Sequence, residues 1–235
     1  MEKEIKPIRC PLNHIVYAHE LSYTFAMEAF LKPTYFIDCD DPKIIAVAKN
    51  LTRGHINEKD AVVTLFRFAR DEIQYNPYGS VYERSRYKAS KVLERQNGYC
   101  IQKATLLAAL LRAISVPAGL VFCDIRNPLI PQKLRDTMLS ETFIFHCYNT
   151  IFMDGVWRNT VCAFDRYTCD RLNIPPVEFN GEEDALFPLQ TTDGRQFITY
   201  LNHRGTYDDV PFEHIIKEFR SFYGEAVLED FANSL

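Results

Sequence analysis

Several kinds of signal are missing from this sequence, and each absence removes a class of protein. Its seven cysteines (10, 39, 100, 123, 147, 162 and 169) include no Cys-x-x-Cys pair, so neither a zinc ribbon nor a thioredoxin-type redox motif is present. The start, Met1-Glu2-Lys3-Glu4-Ile5-Lys6-Pro7, is charged and lacks the apolar run of a signal peptide. Reduced thiols are therefore expected rather than a disulfide framework. No stretch approaches the ~18 apolar residues of a membrane span; the run from Ala104 to Leu111 is short and is closed by Arg112. A cytoplasmic setting is the expectation. No Lys/Arg-rich run stands out and the net charge is only −4, which argues against a nucleic-acid or anionic-membrane surface.

Metal motifs are missing too. His146, Cys147, Cys162 and Cys169 fit no common zinc spacing. There is no Asp-x-Asp-x-Asp-Gly loop with a closing Glu for calcium. Asp38, Asp40 and Asp41 read as caps and solvated charge rather than an acidic cluster. No metal and no cofactor is expected. No repeat, low-complexity run or Gly/Ser linker divides the 235 residues. The expectation is one domain over 1–235, with a helical part over about 1–75, a core over about 76–170 and a strand and helix extension over about 171–235.

What is present is an ordinary globular composition, 47% hydrophobic and 25% charged, in a chain long enough to bury a substantial core. Asp41-Pro42 reads as a cap and first-turn proline opening a helix over 43–51. Asn57 caps a second helix whose apolar face is Val62, Leu65, Phe66 and Ala69. Ser90 begins a short helix that Asn97-Gly98 ends. Past Val116-Pro117, strands are predicted over 119–124, 142–152 and 156–161, the last two joined by the hairpin signal Asp154-Gly155. Helical segments follow the first strand (131–139) and the hairpin (165–172). A strand over 197–201 and a helix over 211–222 complete the chain. Helices first and antiparallel strands after give an α+β architecture.

The most informative junction is Asn97-Gly98-Tyr99-Cys100, which runs straight into a helix that is apolar almost all round. Such a helix belongs in the middle of a domain. Its start gathers unpaired N–H groups and the positive end of the dipole, an environment that lowers a thiol pKa. The plain alternative is a small buried cysteine. A nucleophilic cysteine needs a base, and His146, in a strand of aromatic and β-branched residues just before the hairpin, is the best on offer. His14, His19, His55, His203 and His214 lie in charged or loop contexts and read as surface residues.

Gly98-Tyr99-Cys100, Lys103-Ala104, the run from Leu106 to Ala113 and Val116-Pro117-Ala118 resemble the nucleophile helix of the transglutaminase-like superfamily. His146-x-Tyr148 with Asp154-Gly155-x-Trp157 resembles that family's histidine strand and hairpin. The resemblance covers about 60–170, and more loosely reaches 179–181 and 200–212. It implies a papain-like fold, with a cysteine helix packed on an antiparallel sheet that carries the histidine and commonly an aspartate. The sequence departs from the pattern at that acid: four residues after Trp157 stands Val161, then Cys162. Asp165 is the favoured third member, with Asn159 the competitor and helix capping the other role open to Asp165. Candidate oxyanion and supporting groups are the Cys100 N–H, Gln96, Tyr82, Tyr87, Tyr99 and Lys103, the last facing the Cys100 side by spacing.

Two functions fit. One is acyl transfer through a Cys100 thioester with His146 as base, hydrolysing a peptide, protein or small amide, or passing the acyl group to an amine. The other is a non-catalytic scaffold that binds a protein or peptide partner; the displaced acid favours it and the intact Cys100 and His146 oppose it. Hydrolysis is the lean, because no acceptor-binding or calcium-binding module accompanies the core. The aromatic loop over 75–87 is a candidate cleft wall.

Overall fold

The structure, a computed structural model, describes residues 27–233; Cys10, His14 and His19 lie outside them. Helix α1 (Pro42–Leu51) starts where Asp41 accepts the Lys43 N–H at 2.8 Å and proline takes the first turn. Helix α2 (Glu58–Asp71) is capped by Asn57, which accepts the Asp60 N–H at 2.8 Å, and buries the four expected apolar residues. Asp38 is a cap as well, accepting both the N–H and the hydroxyl of Ser90 at the start of α3 (Ala89–Arg95). No group of residues able to hold a metal ion occurs among the described residues.

One ending differs from the sequence reading. Helix α3 stops at Gln96, which takes the left-handed conformation (φ 55°). Asn97-Gly98 then forms a short strand, β2 (Asn97–Gly98), parallel to β1 (Gln74–Tyr75). This two-residue ribbon leaves no periodicity to read in the sequence.

Helix α4 (Cys100–Ala113) follows at once, and every residue from Ile101 to Arg112 is buried. The surroundings explain why it is apolar on all sides: α1, α2 and α3 pack on it from one direction and the sheet from the other. Arg112 closes its far end by donating to the carbonyls of Ala118, Lys32 and Asp208.

The sheet has the order β5-β4-β3-β6, antiparallel throughout, from β3 (Ala118–Arg126), β4 (Thr142–Met153), β5 (Val156–Thr160) and β6 (Thr199–Tyr207). Asp154 and Gly155 both take positive φ (50° and 77°), the geometry of the tight hairpin expected of that pair. Strand β6 runs further than predicted, beyond Leu201 to Tyr207.

Between β3 and β4 the chain makes an excursion carrying α5 (Gln132–Met138), closed at its base by the Asn127 N–H to the Glu141 carbonyl at 2.9 Å. Helix α6 (Arg166–Leu172) follows the hairpin; α7 (Phe212–Tyr223) and α8 (Glu225–Asn233) end the chain. The architecture is α+β, with the central helix laid on an antiparallel sheet. No helix among the described residues is long and apolar enough to cross a membrane.

Candidate active site

The position of Cys100 is set by the β1–β2 ribbon. Tyr75 pairs with Gly98, and a side chain at Gly98 would meet Gln102 Cβ at 2.9 Å. Glycine is required there because Gln102 folds back to accept the Tyr99 N–H at 3.3 Å. Of the six described cysteines, Cys100 alone is partly exposed; Cys39, Cys123, Cys147, Cys162 and Cys169 are buried.

His146 lies opposite Cys123 on β4, past Asn149–Thr160, the last pair that β4 makes with β5. The preceding residue, Phe145, has φ 56°, a costly conformation for an aromatic side chain. It is held there by its N–H, which donates to Asp124 Oδ1 at 3.1 Å, and by the Arg204 guanidinium, which bonds Asp124 and lies 4.4 Å over the Phe145 ring. The strand register shifts opposite, between Cys123 and Ile125. A bulge of this kind re-aims a side chain, here the imidazole.

The two residues open into one cleft of about 720 Å³. The backbone N–H groups of Cys147, the residue next to His146, of Ile101 and of Cys100 itself favour the thiolate. Thiol and ring make no direct hydrogen bond. Burial pushes the Cys100 thiol up to about 11 against the pull of those N–H groups, so the lowered pKa expected from the helix start is reversed: desolvation outweighs the dipole. Burial likewise pushes the imidazole down to about 3. Its Nε2 is buried without a hydrogen-bond partner, and its ring leans on Phe187 at 5.6 Å. His146 is the one buried imidazole among the described residues.

No acid orients it. Asp165 Oδ1 accepts the Thr168 N–H at 2.7 Å as the cap of α6, and Oδ2 accepts the Tyr75 N–H at 2.5 Å. Of the roles open to Asp165, the structure shows capping, together with a strap onto the ribbon that positions Cys100. Asn159 stands opposite Thr150 and outside the cleft lining; its N–H and its amide donate to Asp184 at 2.8 and 3.1 Å, and its buried Oδ1 has no partner among the described residues. Continuing the β4–β5 register would set Ala163 opposite His146, and Ala163 lines the cleft.

The supporting candidates sort as follows. Gln96 is an exposed helix end outside the cleft lining. Gln74, across the ribbon, lines the cleft instead; only the β1–β2 pairing brings it there, and no local pattern signals it. Tyr99 lines the cleft but donates its hydroxyl to Tyr87 at 2.6 Å. Tyr87 donates to the Val81 carbonyl and Tyr82 to Glu225. Lys103 neither faces the thiol nor pairs at the surface. It is fully buried and donates to the carbonyls of Arg70 and Ile73, serving the C-terminal end of α2, where carbonyls lack helical partners. The aromatic loop does form part of the wall, through Tyr75, Pro77, Tyr78 and Val81.

Residues 45–160 match the family model of the transglutaminase-like superfamily, a span that holds Cys100 and His146 and stops short of Asp165. No curated protein matches the chain. Among solved structures, a candidate cysteine protease from Cytophaga hutchinsonii is 17% identical, with TM-score 0.46, over 65% of this chain and 44% of that one. A candidate protease from Parabacteroides distasonis is 16% identical, with TM-score 0.37, over 57% and 25%. A TGase is 14% identical, with TM-score 0.34, over 63% and 34%. The chain spans less than half the length of each of these structures. Residues 45–160 are thus similar to the core of the transglutaminase-like superfamily, and Cys100 and His146 both lie inside that span.

Proposed function

We propose that the protein is a cysteine-dependent acyl-transfer enzyme that cleaves an amide bond through a thioester on Cys100. The observation that carries this reading is that one cleft holds both the one partly exposed cysteine among the described residues and the imidazole of His146. The resting pair is a neutral thiol and a neutral ring, so proton transfer accompanies attack. As Sγ bonds the carbonyl carbon, His146 takes the thiol proton and then delivers it to the leaving nitrogen as the C–N bond breaks. Water, deprotonated by the same ring, attacks the thioester; the carboxylic acid leaves and Sγ regains its proton. The Cys100 N–H at the helix start and the Gln74 amide are the donors for the oxyanion.

The test is incubation with aromatic p-nitroanilides and mass spectrometry of the trapped adduct. A mass increase confined to Cys100 and lost in Cys100→Ser is expected; p-nitroaniline release that survives Cys100→Ser sinks the mechanism. A second reading, a binding scaffold, draws on the imidazole Nε2, which has no hydrogen-bond partner among the described residues. It requires that no adduct form on any amide that binds.

A further inference from the structure

The cleft has a chemical character that the cysteine and histidine do not determine. Beyond them its lining is largely apolar and aromatic, with Tyr78, Leu129, Leu134, Met138, Phe164 and Phe219. Its volume, about 720 Å³, falls in the range of small-molecule sites. The protein as a whole is acidic, with 31 Asp and Glu against 27 Lys and Arg, yet no Asp or Glu is in the lining among the described residues. Two cations are in it, Lys133 on α5 and Arg171 at the end of α6. Neither makes an ion pair among the described residues. Each lies over an aromatic ring of the same wall, Lys133 Nζ at 5.1 Å from Tyr78 and Arg171 Cζ at 5.7 Å from Tyr167.

The surface thus inverts its charge where the cleft opens. Positive groups held beside low-dielectric aromatic walls attract an anion, and the walls between them take apolar surface. The geometry points to a small aromatic amide bearing a carboxylate as the ligand of this cleft, its ring among the apolar walls and its negative charge at Lys133 and Arg171. This assignment rests on the amide-cleaving reading for the identity of the reacting bond, but binding alone can test it.

The experiment uses the full-length Cys100→Ala protein and isothermal titration calorimetry with three ligands: N-succinyl-phenylalaninamide, N-acetyl-phenylalaninamide and N-succinyl-glycinamide. The first should bind at least about tenfold more tightly than either of the others, a difference that two partly solvated charges can supply. The preference over the acetyl ligand should shrink in about 0.5 M salt. It should also collapse in Lys133→Ser/Arg171→Ser, whose exposed positions leave the fold intact. Equal affinity for succinyl and acetyl ligands, a preference unchanged in the double variant, or no saturable binding would overturn the proposal. Wild-type turnover of the matching p-nitroanilides is read separately. Selective binding with no turnover and no adduct on Cys100 refutes the enzyme while supporting the ligand class.

Discussion

At the scale of single residues, the site is defined by what burial does to its two titratable groups. A thiol at about 11 and an imidazole at about 3 leave no thiolate–imidazolium pair in the free protein at neutral pH. Alkylation of Cys100 by iodoacetamide should therefore rise about tenfold per pH unit from 7 to 10 without a plateau, following the thiolate fraction. A plateau below pH 8 would show a preformed ion pair. Asp165 offers a second measurement. With its oxygens on the Thr168 and Tyr75 N–H groups, Asp165→Ala should cost about 1–3 kcal/mol, a lost cap plus an unsatisfied buried donor. Asp165→Asn, which keeps an acceptor, should recover much of that in thermal melts. If Asp165→Asn melts like wild type but loses activity a thousandfold, the carboxylate charge matters to the imidazole and the capping account is incomplete.

At the scale of elements, the bulge on β4 is what aims the His146 imidazole. Asp124 holds the Phe145 N–H and the Arg204 side chain together. Losing the carboxylate of this part-buried pair costs about 1–3 kcal/mol, chiefly through the unsatisfied Phe145 N–H. Asp124→Ala should lower the thermal midpoint and release the imidazole from its orientation on Phe187, visible as a shifted His146 signal in NMR; an unmoved signal would mean that packing alone fixes the ring. Most elements could be read from the sequence because each carried its own punctuation: Asp41-Pro42, Asn57 and Asp154-Gly155 each act within a few residues. Cys100 and His146 were legible for the same reason, each sitting in a local pattern. Gln74 and the Asp165 strap were not, because they depend on pairing between segments far apart in sequence, and the bulge at Phe145 leaves no mark on strand alternation. Lys103 misled because helical spacing gives the face of a residue but not what packs on that face.

For the whole molecule, the buried imidazole couples the site to stability. Its pKa falls from the ordinary 6.5 to about 3 on folding, so the unfolded chain binds the proton more readily. The contribution is fully present above pH 6.5 and is lost progressively as pH falls toward 3, amounting to several kcal/mol. Chemical denaturation at pH 7 and pH 4 should show that loss, and His146→Phe should remove much of the pH dependence. An identical pH dependence in that variant would place the acid sensitivity elsewhere. Stability in this region thus has a charge-dependent part that the packing of the apolar core does not supply.

The excursion between β3 and β4 has a consequence for how such a protein can diversify. Ile130, Leu134 and Met138 pack into a small apolar cluster of their own, apart from the main core, and the Asn127–Glu141 backbone bond clips the segment at its base. Its sequence can drift, lengthen or be exchanged while β3 and β4 keep their register and the cysteine and histidine keep their places. The part of the cleft wall that runs from Asn127 to Met138 is therefore a replaceable module, and the cysteine and histidine can be kept while the surface beside them changes.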